Sequence, residues 1–462
     1  MKYGSLLIFF GASLAFAQES KNVQIKNVQL QKMSLSLEQA EKQAVENSPN
    51  LKSAAASKDA AASQALTSKS LLWPRLSIDG YYFYQTEVPE ANLGFGKVPF
   101  GTHDNYALGP VLSYTLFDGG RDRKAFNSLN ALGEAREADY EARRAQLKLN
   151  LRVIYFRVQQ ALKNLALTAD ALRLSLAQNR DIDLRFKAGA ASRLDQISSH
   201  KDTLSYQMRF NQAQTDLART LRDLFALIGT GEGLDTTRPV SAEVSHRLPQ
   251  RVEPPTLVID LDQVEQTLKQ FTSRESEKPA SDHPEIVSLQ KSEEASRYAA
   301  ESARGGYWPK LQLQAKSQIL YPNLVIPEQA HQNTLGVNLS FPIFEGNLTP
   351  HQISQRTSEA MATAFQREQR RSDFDRDWLK IQNVLTNLRR QQKISQQNVE
   401  ESHQIEKLTY DSYRSGRVRF LDVQSANFRL LEAQVDSAQI DQQILEQTAN
   451  LEYLAENIQH EK

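Results

Sequence analysis

Four segments of the chain alternate between apolar and polar residues. In the clearest segment the apolar positions are Leu311, Leu313, Ala315 and Ile319, and the polar positions are Gln312, Gln314, Lys316 and Gln318. A period of two over about ten residues is typical of a membrane-spanning β-strand with apolar side chains facing lipid and polar side chains facing a lumen. The alternation predicts strands at about 76–85, 107–117, 311–320 and 336–344.

Aromatic residues lie near the ends of these segments, as an interfacial girdle requires. They are Tyr81, Tyr82, Phe83, Tyr84, Phe117, Tyr321 and Phe344. Taken alone, the alternation fits the edge strands of a soluble sheet equally well. The N-terminus favours the membrane interpretation.

Residues 1–17 have the three parts of a secretory signal peptide. Lys2 supplies the basic region, an apolar stretch runs to Phe16, and Ala15-Phe16-Ala17 supplies the small residues for cleavage before Gln18. The alternative is an uncleaved N-terminal anchor, but the stretch is too short to span a bilayer. We therefore expect the mature chain to enter the cell envelope.

Two long stretches show the helical period. From about 120 to 187 and from about 347 to 415, apolar residues recur mostly three and four positions apart with little Gly or Pro. Each predicted helix would be about 100 Å long, so it must lie against other helices in a coiled coil or a helical barrel. Shorter helices are predicted at about 50–72, 193–228 and 420–458, and the first two together nearly equal the length of one long helix.

The chain contains the same arrangement twice. Trp73-Pro74-Arg75-Leu76 returns as Trp308-Pro309-Lys310-Leu311, and Leu116-Phe117-Asp118-Gly119 returns as Ile343-Phe344-Glu345-Gly346. Phe186-Lys187-Ala188-Gly189 returns as Tyr413-Arg414-Ser415-Gly416. The predicted organisation is a tail at 18–34, repeat 1 at 35–229, a linker at 230–258, repeat 2 at 259–458 and a C-terminal tail at 459–462. Two copies indicate a duplicated unit rather than a solenoid.

Composition excludes several classes of function. The 55 basic residues balance 55 acidic ones, so nothing attracts a nucleic acid electrostatically, and the absence of Cys excludes disulfides, Cys zinc sites and thiol nucleophiles. The eight His residues are scattered without the spacing of a metal site. The segment Gly229-Thr230-Gly231-Glu232-Gly233 lacks the Lys-Ser/Thr of a phosphate loop and follows a helix. We expect no enzymatic activity, no cofactor and no bound metal.

Four strands cannot form a closed membrane barrel, because unpaired edges are not tolerated in lipid. A dimer would pool about eight strands and a trimer about twelve, and an eight-stranded barrel is filled by its own side chains. The sequence therefore predicts a mainly α-helical chain with a transmembrane β part and a two-fold internal repeat. Each protomer would contribute four strands to a trimeric twelve-stranded barrel that continues into a long periplasmic α-helical barrel.

The chain resembles the TolC-type outer-membrane efflux proteins over nearly its whole mature length. The resemblance rests on the Trp-Pro-(Arg/Lys)-Leu motifs, the Phe-Asp-Gly-Gly motif at 117–120 and the tip motif in which a Gly precedes an Asp by six positions. The second copy departs at Asn347, where the family keeps a second Gly, and the absence of Cys separates the chain from the lipidated branch. The resemblance implies a homotrimer in the outer membrane that docks to a periplasmic adaptor and an inner-membrane pump, in drug efflux or type I secretion.

Candidate functional residues lie where the long helices end. Gly189 and Gly416 mark helical-hairpin turns about 100 Å from the strands. The resemblance implies that Asp422 lines a closed periplasmic aperture and that Asp195 links to Tyr413. The family's Arg partner corresponds to Val418 here, with Arg417 and Arg419 on either side. Ser192-x-x-Asp195 is also a capping box, which offers a purely structural role for Asp195. The residue three positions before Asp422 is Arg419 rather than Ser or Thr, so capping is a weaker explanation for Asp422.

Two classes of function remain open at this point. The first is an exit duct of a tripartite efflux pump or a type I secretion system, which would conduct small molecules or polypeptides passively from the adaptor and pump to the exterior. The second is a non-conducting periplasmic coiled-coil scaffold, which would need the long helices but not the alternating strands.

Overall fold

The structure is a computed structural model that describes residues 31–92, 94, 96–99, 101–229, 240–241, 257–272, 279–324 and 326–457. The predicted signal peptide and most of the predicted linker lie outside these residues. The strands are β1 Gln31–Leu35, β2 Arg75–Tyr84, β3 Glu90–Asn92, β4 Lys97–Pro99, β5 Asp104–Phe117, β6 Val240–Ser241, β7 Leu257–Leu261, β8 Lys310–Tyr321 and β9 Ala330–Ser340. The helices are α1 Leu37–Asn47, α2 Pro49–Ser70, α3 Arg121–Lys187, α4 Arg193–Ile228, α5 Val264–Thr272, α6 Pro284–Arg304, α7 Leu348–Arg414 and α8 Phe420–Leu454.

The two halves of the chain have matching long helices. Both α3 and α7 contain 67 residues, while α4 and α8 contain 36 and 35. The mainly helical fold class and the two-fold repeat are confirmed. Helix α8 ends at Leu454, four residues before the predicted end. The short elements β1, α1, β7 and α5 were not predicted.

One predicted strand is misplaced. Strand β9 spans Ala330–Ser340, whereas the alternation predicted 336–344. The ladder ends before Pro342, because proline has no backbone N–H to donate to a neighbouring strand. The apolar alternation of Phe341 and Ile343 therefore continues beyond the sheet, where both side chains are exposed.

The four long strands form one antiparallel sheet in the order β2-β5-β8-β9. Its register pairs Leu76 with Leu112, Leu112 with Ala315 and Ala315 with Leu335. Apolar residues of all four strands therefore lie side by side on one face. The opposite face carries Ser77, Lys316 and Thr334 in the next row. Within the described residues, β2 and β9 each have a partner on one side only.

The first half of the long helix α3 packs closely against α6. In its first half, Ser128 Oγ donates to the Ala295 carbonyl of α6 at 2.7 Å, and Ser288 Oγ of α6 donates to the Ala135 carbonyl at 3.0 Å. A hydrogen bond from a side chain of one helix to the backbone of another requires the two helix axes to lie close together. Small residues spaced alternately four and three positions apart along α3 permit this approach. These buried residues are Ala131, Ala135, Ala138, Ala142 and Ala145. Their alternating spacing is the heptad pattern of a left-handed coiled coil.

The shorter helices meet end to end beside the long ones. The side-chain amide of Asn47, the last residue of α1, donates to the Ile228 carbonyl at the end of α4 at 2.7 Å. In the second repeat the backbone N–H of Ala280, just before α6, donates to the Leu454 carbonyl at the end of α8 at 2.9 Å. Each junction satisfies a carbonyl that the helix end leaves without an intrahelical partner. The pairs α4–α2 and α8–α6 thus extend alongside the long helices; the sequence compared lengths only for the first pair.

A small parallel sheet, in the order β1-β7-β6, lies against these junctions. The fully buried Tyr155 of α3 donates its hydroxyl to the Leu35 carbonyl of β1 at 2.9 Å. Nearby, Arg152 pairs with Glu41 of α1 at 2.6 Å and with Glu452 of α8 at 2.7 Å. The middle of α3 is therefore fixed to elements of both repeats. Among the described helices, none combines the length and hydropathy that a bilayer-spanning helix needs.

The turns from strand to long helix are equivalent in the two repeats. Gly119 and Gly120 have φ of 69° and 82°, and Gly346 and Asn347 have φ of 59° and 64°. Asparagine adopts this left-handed conformation more readily than other residues with a side chain. Asn347 therefore preserves the turn at the position where the resembling family keeps Gly.

Candidate functional site at the hairpin tips

Both hairpins turn with the same backbone geometry. Gly189 and Gly416 have φ of 72° and 74°. The N–H of Ala190 donates to the Arg185 carbonyl at 2.8 Å, and the N–H of Arg417 donates to the Ser412 carbonyl at 2.9 Å. This is the Schellman arrangement, in which a left-handed residue, usually Gly, ends the helix and its last carbonyls find donors. The two glycines thus occupy the predicted tip turns and place the starts of α4 and α8 beside the ends of α3 and α7.

Asp195 caps its own helix. Its backbone N–H donates to Ser192 Oγ at 3.1 Å, and its carboxylate accepts from the Ser192 N–H at 3.2 Å and from the Ser192 hydroxyl at 2.8 Å. The capping box predicted from the sequence is therefore formed. A carboxylate in the first turn of a helix also interacts favourably with the helix dipole.

Asp422 occupies the equivalent position in the second tip. Its carboxylate accepts from the Arg419 backbone N–H at 3.0 Å, although the Arg419 side chain offers no acceptor in return. Capping therefore explains Asp422 better than the sequence suggested, because the backbone donor does not depend on the side chain at the cap position. The Asp422 side chain is exposed at the tip.

Tyr413 packs into a small cluster that joins the two tips. Its ring lies 5.4 Å from the ring of Phe420. The cluster also contains the buried Ile182 and Val423, and Ala191 and Tyr410 pack against it. Burial raises the pKa of the Tyr413 hydroxyl above its ordinary value, and the nearby Asp195 carboxylate raises it further. Tyr413 and Asp195 are therefore close enough to interact electrostatically.

The predicted hydrogen bond between Asp195 and Tyr413 is not formed among the described residues. The Asp195 carboxylate is instead engaged with Ser192, and the Tyr413 ring faces the apolar cluster. The functional link between Asp195 and Tyr413 therefore stays a prediction.

A different set of residues bonds the tips together. The Tyr410 hydroxyl of α7 donates to Asp181 Oδ2 of α3 at 3.2 Å, and Arg185 Nε donates to the same oxygen at 3.0 Å. Arg185 Nη1 also reaches the Arg414 carbonyl at 3.4 Å. Sequence reasoning missed this link; its signal was the spacing of Asp181 and Arg185, which places them on one face of a helix.

Two amide side chains add further bonds between the repeats. Gln424 Nε2 of α8 donates to the Ser198 carbonyl of α4 at 2.9 Å. Asn427 Nδ2 donates to Gln178 Oε1 of α3 at 2.8 Å, where both side chains are buried. The tip is thus a polar contact between repeats built around a small apolar centre.

Arg417 and Arg419 lie in the second tip. Both side chains are exposed, and neither forms an ion pair within the described chain. Among the described residues no group of three or more His, Asp and Glu side chains could hold a metal ion.

Comparisons with known proteins identify the family. The outer membrane efflux protein family model matches residues 23–230 and 278–455. A comparison with curated proteins gives no significant sequence match.

Solved structures show the same fold at low identity. The outer membrane protein VceC of Vibrio cholerae is 17% identical with a TM-score of 0.74, over 92% of this chain and 97% of that chain. The CmeC outer membrane channel of Campylobacter jejuni is 18% identical with a TM-score of 0.71, over 90% and 85%. The open state of the MtrE outer membrane channel of Neisseria gonorrhoeae is 16% identical with a TM-score of 0.69, over 91% and 88%. The chain therefore belongs to the outer membrane efflux protein family and lies in the outer membrane, with its long helices extending into the periplasm.

Proposed function

We propose that three copies of this chain form the outer-membrane exit duct of a tripartite efflux pump or a type I secretion system. The observation that carries this proposal is the four-stranded sheet, which is apolar on one face and polar on the other. In the part of the chain that the structure describes, its edge strands β2 and β9 each pair with a neighbour on one side only. Unpaired strand edges in lipid leave backbone N–H and C=O groups without partners, so the sheet requires other copies of itself.

Three copies fit the proposal better than two. Two copies would supply about eight strands, whose interior side chains fill the barrel, whereas about twelve strands leave room for a lumen. The paired helices support the same arrangement, since each chain supplies two long helices and two end-to-end pairs of shorter ones to one wall.

The exposed tips are the proposed docking surface for a periplasmic adaptor and the place where the duct is closed. Three Asp422 carboxylates would surround the opening, and the Tyr410–Asp181–Arg185 link would hold each chain's tips together. The arginines at 417 and 419 would be available to a neighbouring copy or to the adaptor. Transport would be passive, with the energy supplied by an inner-membrane pump.

Mass measurement and conductance test the proposal together. The detergent-solubilised protein should have the mass of three chains, and its reconstitution into planar bilayers should give discrete conductance steps. A monomer or dimer would exclude the trimeric barrel. A protein found in soluble periplasmic extracts, without conductance, would favour the coiled-coil scaffold instead.

A further inference from the structure

The polar face of the sheet can be followed row by row from the strand register. One row contains Arg75, Ser113, Gln314 and Gly336, and the next contains Ser77, Val111, Lys316 and Thr334. The third row also lies on this face and contains Asp79, Gly109, Gln318 and Gln332. Because apolar residues occupy the other face, these rows line the lumen of the proposed barrel.

The charges on these rows do not cancel. In the three rows just described, each chain places two cations and one anion on the polar face. The cations are Arg75 and Lys316, and the anion is Asp79. None of the three forms an ion pair within the described chain. Three copies would therefore line this part of the lumen with six cations and three anions.

A neighbouring copy brings no compensating charge at the joint. The edge strand β9 contributes Gln332, Thr334, Gly336 and Asn338 to the polar face, all of them uncharged. Arg75 and Asp79 lie on the other edge strand, β2, so closure of the barrel would set them beside these neutral residues. The excess of positive charge would therefore persist in the assembled barrel.

An apolar row follows the charged rows towards the loop end of the strands. It contains Tyr81, Ala107, Leu320 and Ala330. The Tyr81 ring stacks on Phe83, which lies on the same face, with centroids 5.7 Å apart. Both rings are about half exposed, at 57% and 48%. The lumen thus offers an aromatic surface one row beyond the charged rows.

We propose that the barrel half of this duct selects organic anions that carry an aromatic or apolar part. Rings of Arg or Lys side chains favour anions in a pore, and the aromatic surface adds contact area for an apolar group. This inference rests on the proposed duct function and names the class of molecule that the duct would favour at its exit.

Reversal potentials in a KCl gradient test the charge excess. Arg75→Gln with Lys316→Gln should lower the chloride-to-potassium permeability ratio at least about twofold, and Asp79→Asn should raise it. Gln314→Asn, in the same row as Arg75, is the matched control and should leave the ratio unchanged. All variants keep the tips intact, so the contribution of Asp422 is constant.

Current block tests the class of ligand. Each probe is added to the side of the bilayer on which the barrel end of the channel opens. There 2-naphthalenesulfonate should block the wild-type channel at about tenfold lower concentration than the N-methylquinolinium cation. Lys316→Gln should remove that difference. Channels that conduct but show the same permeability ratio in all variants, or equal block by both probes, would overturn the inference and leave the duct function standing. A trimer without conductance would instead remove the duct function, and the inference with it.

Discussion

Tyr410 and Asp181 come from different repeats and are joined by a hydrogen bond of 3.2 Å beside the hairpin tips. Burial raises the pKa of the Tyr410 hydroxyl, and the Asp181 charge raises it further, so the tyrosine remains a donor throughout the physiological pH range. The bond ties the end of α7 to the end of α3, where separation of the tips would widen an opening.

Loss of this link should open the tip. A hydrogen bond to a charged group contributes about 1.5–3 kcal/mol, so Tyr410→Phe with Asp181→Ala should raise the open probability in planar bilayers by about tenfold or more. Tyr413→Phe is the matched control, because its hydroxyl forms no hydrogen bond to Asp195 in the described chain. If Tyr413→Phe opens the channel and the double variant does not, the link is misassigned.

The charge of Asp422 can be separated from its capping role. Asp422→Asn keeps an oxygen that accepts from the Arg419 N–H, whereas Asp422→Ala removes both the acceptor and the charge. Both variants should weaken block by multivalent cations, because like charges around one opening attract them. The alanine variant alone should also lose about 0.5–1.5 kcal/mol of stability, because it removes the acceptor for the Arg419 N–H. Equal cation block in the wild type and the asparagine variant would exclude a charged ring.

The two faces of the sheet should tolerate charge differently. Leu313→Arg places a cation on the apolar face and should cost about 2–4 kcal/mol at mid-depth, whereas Gln314→Arg on the polar face should be tolerated. The measurement is the fraction of heat-modifiable, membrane-inserted protein. Equal loss in the two variants would contradict the assigned faces.

Asn347 should be replaceable by Gly but not by a β-branched residue. Its φ of 64° suits Asn and Gly, while valine in this conformation is strained by about 1–3 kcal/mol. Asn347→Gly should therefore leave the apparent Tm nearly unchanged and Asn347→Val should lower it. A tolerated valine would show that the turn into α7 can rearrange.

The free energy of unfolding should decrease as pH rises, because the carboxyl of Asp202 titrates differently in the folded and unfolded chains. Burial in α4 raises the pKa of its carboxyl from its ordinary value to about 6, and its Oδ2 has no hydrogen-bond partner among the described residues. The folded chain therefore holds a proton that the unfolded chain releases between about pH 4 and 6, so the free energy of unfolding decreases through that window and stays lower above it.

Asp202→Asn should remove this pH dependence. At pH 7.5 the variant should be more stable by about 1–2 kcal/mol, allowing for the solvent that reaches this half-buried group, and at pH 4 it should match the wild type. Thermal unfolding at several pH values measures the effect, with the exposed Asp223→Asn of the same helix as control. Identical profiles for wild type and Asp202→Asn would show that the carboxyl is solvated in the assembled protein.

The sequence by itself determined the features that depend on local backbone preference. The two-residue alternation assigned Leu313 and Gln314 to opposite faces, because successive side chains of a strand point in opposite directions whatever surrounds them. The glycines at 189 and 416 located the tips, because a left-handed residue ends a helix without help from distant residues. The alternation failed at Phe341–Phe344, where a proline ended the ladder while the apolar pattern continued.

Only the tertiary structure decided which side chains meet across the tips. Tyr410 and Tyr413 lie three positions apart on α7, and both pack against the cluster of Ile182, Phe420 and Val423, which draws residues from both repeats. Which of the two hydroxyls finds an acceptor therefore depends on the position of Asp181 on α3, and only Tyr410 reaches it. The role of Asp195 also depends on its neighbours. Ser192 bonds the Asp195 carboxylate within its own tip, and Asp181, not Asp195, accepts the bond from the opposite tip.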